Sequence, residues 1–265
     1  MDWFLYRVPL SVIFFGLFAL MTATWFIGRV IGTRARAAVD EDARTHAGGL
    51  HAAMLGLLAL ILGFTFSMSA QRFEVNLDRA AEEASAIETA YLRADLTDAP
   101  ARLVMRDLIR RYVDTRIAFY EAKIDFRSRA VIEAESRKLQ EEIWRLTVAS
   151  AASAPTPPMA EVVDGVNRMF DLYELRQHAL RNHVPATILW LLVVMAAAAT
   201  ALTGYVAGFG NRRHPTATAV VLLLIALVIV VIVDLDRPTR GLIHGGQESL
   251  LDLQRLMRPP VSATL

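Results

Sequence analysis

Residues 49–69, GLHAAMLGLLALILGFTFSMS, contain no Asp, Glu, Lys or Arg. About 20 apolar residues in a helix are enough to cross the hydrocarbon core of a bilayer. Lipid offers no partner for a free backbone N–H or C=O group, so a segment of this kind has to be helical. The sequence therefore predicts a transmembrane helix here.

Three further segments have the same property, at about residues 8–27, 184–209 and 216–233. We expect the first to be a retained anchor, because its apolar core is too long for a signal peptide and no Ala-x-Ala cleavage site follows it. Four spans place both ends of the chain and the long connection 70–183 on one side of the membrane. The Arg residues are divided almost evenly between the two sides, so charge bias leaves the orientation open.

The composition of the whole chain agrees with a membrane protein and argues against several other classes. Of the 265 residues, 54% are hydrophobic, and the mean hydropathy is +0.37. The 28 basic and 27 acidic residues nearly cancel, which argues against nucleic acid as a partner. Cysteine is absent, so the chain has no disulfide, no thiolate metal ligand and no cysteine nucleophile.

Motifs for catalysis or cofactor binding are also missing from the sequence. It contains no P-loop, no G-x-G-x-x-G after a strand, no H-E-x-x-H and no G-x-S-x-G. The six His residues are scattered, and no pair has the i,i+4 spacing that a helical metal site needs. We therefore expect neither an enzyme nor a resident cofactor or metal.

Two acidic pairs carry no assigned chemistry. Asp234 and Asp236 lie where the fourth span ends. They either face water as a helix-terminating pair or form a cation site. Glu82 and Glu83 are expected on a solvated or intersubunit face.

Residues 70–183 predict a long helical region outside the membrane. No Gly or Pro occurs between residues 64 and 99, so the second span should continue as a helix to about Leu96. A second stretch without Gly or Pro, 101–153, and a third helix, 159–183, each carry an apolar stripe on one face. We expect these stripes to pack on each other or on neighbouring subunits of a homo-oligomer. The stripe residues are Met105, Ile109, Tyr112, Phe119 and Ile124 in the second helix, and Val162, Val166, Met169 and Tyr173 in the third.

The second span also carries a family resemblance. Leu62-Gly63-Phe64 is followed, after seven residues, by Arg72-Phe73. This pattern resembles the bestrophin family of anion channels, in which the aromatic residue after the Arg is usually Trp. The strings LGFTFSMSAQRFE, EEASAIETAYLRADL and DLDRPTRGLI are similar to an uncharacterised bacterial family described as bestrophin-like, over about residues 48–253. The resemblance implies one all-α, bestrophin-like membrane domain over residues 1–265, with a C-terminal segment at 234–265.

The resemblance also implies a function and a site. It implies a passive anion channel of the chloride type, assembled as a homo-oligomer, a pentamer. Lipid and inorganic anions are its implied partners, in the bacterial inner membrane, with the termini and 70–183 in the cytoplasm. Bestrophins line a narrow apolar neck with this helix, and the neck positions fall on Phe64, Leu60 and Gly56, of which Gly56 departs from the bulky aliphatic residue of the family. Calcium gating is not implied, because the acidic run of animal bestrophins has no counterpart beyond the pair at 234 and 236.

The residues themselves leave alternatives open. Gly56, Leu60 and Phe64, at positions i, i+4 and i+8, share one face of the helix. That face can pack against other spans, with Gly56 allowing a close approach, or it can surround a symmetry axis as a hydrophobic constriction. Arg72 can attract anions at the mouth of such a passage, or it can pair with a nearby carboxylate. The alternative to a channel is a non-conducting membrane scaffold or sensor whose outer helices bind a protein partner.

Overall fold

The structure is a computed structural model that describes residues 8–122, 126–210, 215–237 and 245–258. These residues form α-helices and contain no β-strand, as the all-α prediction requires. The chain divides into two compact units: unit 1 comprises Met1–Arg72 and His183–Arg237, and unit 2 comprises Phe73–Asn182 and Pro238–Leu265. The helices are α1 (Leu10–Ala35), α2 (Glu41–Arg93), α3 (Ala99–Glu121), α4 (Phe126–Ser153), α5 (Pro157–Arg181), α6 (Ala186–Phe209), α7 (Pro215–Leu235) and α8 (Glu248–Met257).

Each of the four predicted spans lies in a helix that is long and apolar enough to cross a membrane. The first and third spans are α1 and α6, and the fourth is α7. The second span is part of α2, which continues without a break to Arg93 and is followed by a 3-10 turn at Ala94–Leu96. The prediction that this helix extends to about Leu96 is therefore confirmed.

Helices α1 and α6 of unit 1 pack backbone against backbone. A methyl group added at Gly28 would overlap the carbonyl group of Ala201, and one added at Gly32 would overlap that of Tyr205. The contacting residue numbers rise together, so the two helices are parallel. Small residues allow this close approach, on which helix association in lipid depends. The glycines at the contact are Gly28, Gly32, Gly204 and Gly208.

The second and fourth spans run in the opposite direction to the first and third. His51, near the start of α2, has its Nε2 atom 2.9 Å from the hydroxyl oxygen of Thr203, near the end of α6. Arg237, just after α7, donates from Nη1 to the carbonyl oxygen of Val8, just before α1, at 2.9 Å. In unit 1 the start of the first span and the end of the fourth therefore lie together, as an even number of spans predicts.

The predicted apolar stripes form the core of unit 2. Met105, Ile109 and Tyr112 of α3 are fully buried, and Val166 and Met169 of α5 belong to the same cluster. These stripes pack on each other within one chain, so they give no support to association between subunits. Of the remaining stripe residues, Phe119, Val162 and Tyr173 are buried, and Ile124 lies outside the described residues.

The prediction of one helix over 101–153 is wrong. Helix α3 ends at Glu121 and α4 begins at Phe126, although no Gly or Pro separates them. In the sequence, the step of five from Phe119 to Ile124 departs from the helical period of 3.6 at this point. The start of α3 is as expected: the carboxylate of Asp98 accepts a hydrogen bond from the Ala101 N–H at 3.2 Å and caps the helix.

Helix α8 is a short amphipathic helix of unit 2. Leu250, Leu253 and Met257 recur at helical spacing and are buried. Arg110 of α3 donates from Nε to the carbonyl oxygen of Met257 at 3.0 Å. The predicted C-terminal segment is therefore helical over 248–257, whereas 238–244 and 259–265 lie outside the described residues.

Candidate functional site

The predicted constriction residues lie on a face of α2 that no other part of the described chain covers. The side chain of Leu60 is 54% exposed and that of Phe64 is 70% exposed. A methyl group added at Gly56 would meet no neighbour within 4 Å. The three residues are thus on one open face of unit 1, as their i, i+4, i+8 spacing predicts.

The opposite face of the same helix is buried in unit 1. Leu58 is only 2% exposed and packs with Leu17 and Met21 of α1 and Ala196 of α6. Thr65, two turns later, is also buried. A helix needs only one of its faces to hold it in the bundle. Among the described residues of one chain, no other span therefore covers Leu60 or Phe64.

The other residues of the family motif divide between the two faces. Leu62 packs partly buried against the apolar core of unit 1, whereas Gly63 is exposed. Arg72 is half-buried and engaged with a neighbouring group. Phe73 is half-buried and is the first residue of unit 2. In the Leu-Gly-Phe motif, Leu62 therefore packs toward the core of unit 1, whereas Gly63 and Phe64 are exposed.

The acidic pair at the end of α7, Asp234 within it and Asp236 just after it, is buried, so the interpretation in which it faces water is wrong. Asp236 accepts a hydrogen bond from the backbone N–H of Val184 through Oδ1 at 2.9 Å, and its Oδ2 lies 3.6 Å from Nδ1 of His183. Asp234 is also buried. The Asp236 carboxylate thus accepts the hydrogen bond of a backbone N–H group just before α6. In the part of the chain that the structure describes, no three His, Asp or Glu side chains come together as metal ligands.

Glu83 is not on a solvated or intersubunit face, and sequence reasoning missed its partners. Its carboxylate is fully buried in unit 2 and contacts the guanidinium groups of Arg116 from α3 and Arg176 from α5. Its neighbour Glu82 is exposed, as expected of a surface residue, and its Oε2 atom lies 2.6 Å from Nη1 of Arg79. Burial raises the pKa of Tyr112, which lies beside this cluster, so its hydroxyl stays protonated at neutral pH.

The sequence places the three charged residues of this buried cluster at apolar positions of their helices. Glu83 stands four residues before Ile87, Arg116 stands four residues after Tyr112, and Arg176 stands three residues after Tyr173. Each charged residue therefore occupies the apolar stripe of its helix. Charges at core positions are rarely buried unless they are paired, so the three positions together indicated a buried ionic contact.

Comparison with known proteins agrees with this architecture. A sequence model of the bestrophin-like domain matches residues 13–244, most of the chain. The chain belongs to the bestrophin-like family. The fold is also similar to that of a solved bacterial bestrophin homologue from Klebsiella pneumoniae, a point mutant, with a TM-score of 0.57 and 13% identity. That match covers 89% of this chain and 99% of the homologue. No curated protein matches the sequence.

Family membership and the apolar helices make the chain a multi-pass membrane protein. It has the four-span helical architecture that the resemblance predicted. On the open face of α2, Gly56, Leu60 and Phe64 have no covering partner within residues 8–122, 126–210, 215–237 and 245–258.

Proposed function

We propose that this protein is a passive, chloride-type anion channel that works as a homo-oligomer, a pentamer, with its path lined by Gly56, Leu60 and Phe64 of the second span. The observation that carries the proposal is the apolar face of α2, which the described part of the chain leaves uncovered, while Leu58 and Thr65 on the opposite face are buried. Membership of the bestrophin-like family supports anion conduction as the use of that face.

The chemistry of the face suits a passive path for anions. Leu60 and Phe64 offer only apolar atoms, and repeated around a symmetry axis they form a narrow hydrophobic ring. Such a ring controls flow by wetting and dewetting. Ions that shed water easily cross it at the lowest cost, and large, weakly hydrated anions have that property.

Truncating Leu60 or Phe64 is expected to raise anion flux several-fold in reconstituted vesicles. Leu60→Ala and Phe64→Ala widen the ring and remove apolar surface, which lowers the cost of wetting. Because both side chains are exposed in the chain, the substitutions should leave the assembled protein stable. Chloride efflux from proteoliposomes measures the flux, and size-exclusion chromatography in mild detergent measures the assembly.

Leu58→Ala is the matched control, because Leu58 lies on the same helix and is 2% exposed. This truncation creates a cavity and should cost about 2–5 kcal/mol of stability without adding conductance. Assembled Leu60→Ala and Phe64→Ala proteins that pass no more chloride than empty vesicles would refute the channel. The scaffold or sensor alternative would then be favoured.

The orientation has its own test. We propose that the protein lies in the bacterial inner membrane with both termini and residues 70–183 in the cytoplasm, as the family resemblance implies. Reporter domains fused at Leu265 and within residues 209–215 should report opposite sides of the membrane. A periplasmic signal from the Leu265 fusion would contradict the orientation, while leaving the four-span count intact.

A further inference from the structure

Unit 2 contains a buried ionic cluster with more positive than negative charge. Arg116 donates from Nε to Oε1 of Glu83 at 2.6 Å, and Nη1 of Arg176 lies 3.0 Å from Oε2 of the same carboxylate. The side chains of Glu83 and Arg116 are fully buried, and that of Arg176 is 2% exposed. One carboxylate therefore faces two guanidinium groups.

Both arginines are cations at neutral pH. Burial lowers the pKa of Arg176 to about 10, with Arg116 adding to the decrease and Glu83 opposing it. Burial acts most strongly against the charge of Arg116, but the facing Glu83 carboxylate, together with Tyr112 and Tyr173, raises the pKa of that group above its usual value. Counted over the described residues, the cluster thus carries one uncompensated positive charge, which is costly in a protein interior.

Several hydrogen-bond donors of the cluster have no acceptor in the part of the chain that the structure describes. They are Nη1 of Arg116, Nε of Arg176 and the hydroxyl group of Tyr120. The flat faces of the guanidinium groups are occupied, since the ring of Tyr173 lies 4.6 Å from Arg116 and that of Tyr120 lies 4.8 Å from Arg176. The free N–H groups lie in the guanidinium planes, away from the two aromatic rings.

We propose that this cluster binds one small monovalent anion, of the size of a halide or nitrate, at the free guanidinium edges of Arg116 and Arg176. A single negative charge would make the cluster neutral and would accept hydrogen bonds from the free donors. Water could accept those hydrogen bonds but would leave the charge uncompensated. A divalent oxyanion would reverse the charge imbalance and would need more room between tightly packed helices.

The bound anion stabilises unit 2. Glu83, Arg116 and Arg176 come from α2, α3 and α5, so an ion shared by the two arginines links helices that are separate in sequence. This site involves none of the residues of the proposed channel path. Its failure and the failure of anion conduction are therefore distinguishable.

Thermal unfolding of the full-length protein in matched salts tests the site. Chloride or bromide should raise the unfolding midpoint by about 3–6 °C relative to gluconate at equal ionic strength, because gluconate is too large to enter. Arg176→Met removes one cation and leaves a one-to-one pair, so its midpoint should be the same in both salts. Arg145→Met, at an exposed arginine of α4, is the matched control and should keep the halide dependence.

A structure of the unmodified protein in bromide makes the test independent of how the variants fold. An anomalous bromide peak within hydrogen-bond distance of Nη1 of Arg116 or Nε of Arg176 would support the site. Equal midpoints of the unmodified protein in chloride and gluconate would overturn it. So would an undiminished halide effect in Arg176→Met, or bromide bound only elsewhere. Chloride flux, measured separately in vesicles, reports on the channel and not on this site.

Discussion

Gly204→Ala is expected to destabilise the four-helix unit 1 by about 3 kcal/mol or more, although it adds a single methyl group. The methyl group would overlap the carbonyl group of Trp25 in the facing helix α1. Backbone atoms cannot rotate away as a side chain can, so α1 and α6 have to separate along their contact. The separation would also break the 2.7 Å hydrogen bond between the hydroxyl groups of Thr24 and Thr200. Thermal unfolding in detergent measures the loss.

The control for this prediction is Gly16→Ala in helix α1. A methyl group at Gly16 meets no neighbour within 4 Å in the described chain. Alanine has the higher helix propensity by about 1 kcal/mol, so this change should leave the midpoint unchanged or raise it slightly. Equal midpoints for Gly204→Ala and Gly16→Ala would show that α1 and α6 are not in backbone contact.

Glu83→Gln is expected to destabilise unit 2 by about 3–5 kcal/mol, the usual cost of leaving a buried ion without its partner. The amide keeps the size of the side chain but removes the carboxylate that faces Arg116 and Arg176. Two buried cations would then face each other, and a single bound anion could compensate only one of them. Thermal unfolding and limited proteolysis of residues 73–182 measure the effect.

The adjacent Glu82→Gln is the matched control. Glu82 is exposed and pairs with Arg79 at the surface, and exposed pairs contribute at most about 1 kcal/mol. The same chemical change one residue earlier should therefore have little effect. If Glu82→Gln and Glu83→Gln lower the midpoint equally, the buried cluster does not hold unit 2 together.

The spans and most helix boundaries could be predicted because each depends on a local signal. The charge-free runs define the four spans, and the Asp98-Ala-Pro100 sequence marks the end of the long second helix. The break between α3 and α4 has no Gly or Pro. The sequence shows only one irregular step in the apolar stripe at this point, and a single irregular step does not identify a helix end.

The tertiary contacts were harder to predict because they join residues that are distant in sequence. Gly28 and Gly32, like Gly204 and Gly208, have the spacing of a close helix contact, but the spacing alone does not pair the two helices. The prediction placed Glu83 together with Glu82 on a solvated or intersubunit face, although Glu83 is buried and Glu82 is exposed. Helical periodicity, rather than composition, was the informative signal there.

The sequence predicts that one face of α2 carries Gly56, Leu60 and Phe64, but it does not predict that this face is exposed. The spacing of Gly56, Leu60 and Phe64 places them together on any helix. Whether that face is covered depends on how α1, α6 and α7 pack, and these helices cover the side of Leu58 instead. Exposure of Leu60 and Phe64 could therefore be recognised only from the folded chain.

The central claim, that Phe64 faces a water-filled anion path in the oligomer, can be tested with a single cysteine. The chain has no cysteine of its own, so Phe64→Cys provides one reactive thiol without background. An anionic, water-soluble methanethiosulfonate reagent reaches a thiol beside water but not one in lipid. Phe15→Cys is the control, because Phe15 is also exposed, at 65%, but belongs to α1 and not to the residues of the proposed path.

Chloride flux through reconstituted Phe64→Cys protein, recorded before and after the reagent, is the decisive measurement. We expect rapid modification of Phe64→Cys with a large change in flux, while Phe15→Cys stays unmodified and its flux is unaltered. Modification of Phe64→Cys no faster than that of Phe15→Cys, with chloride flux equal to that of empty vesicles throughout, would contradict the claim and place Phe64 in lipid or between subunits.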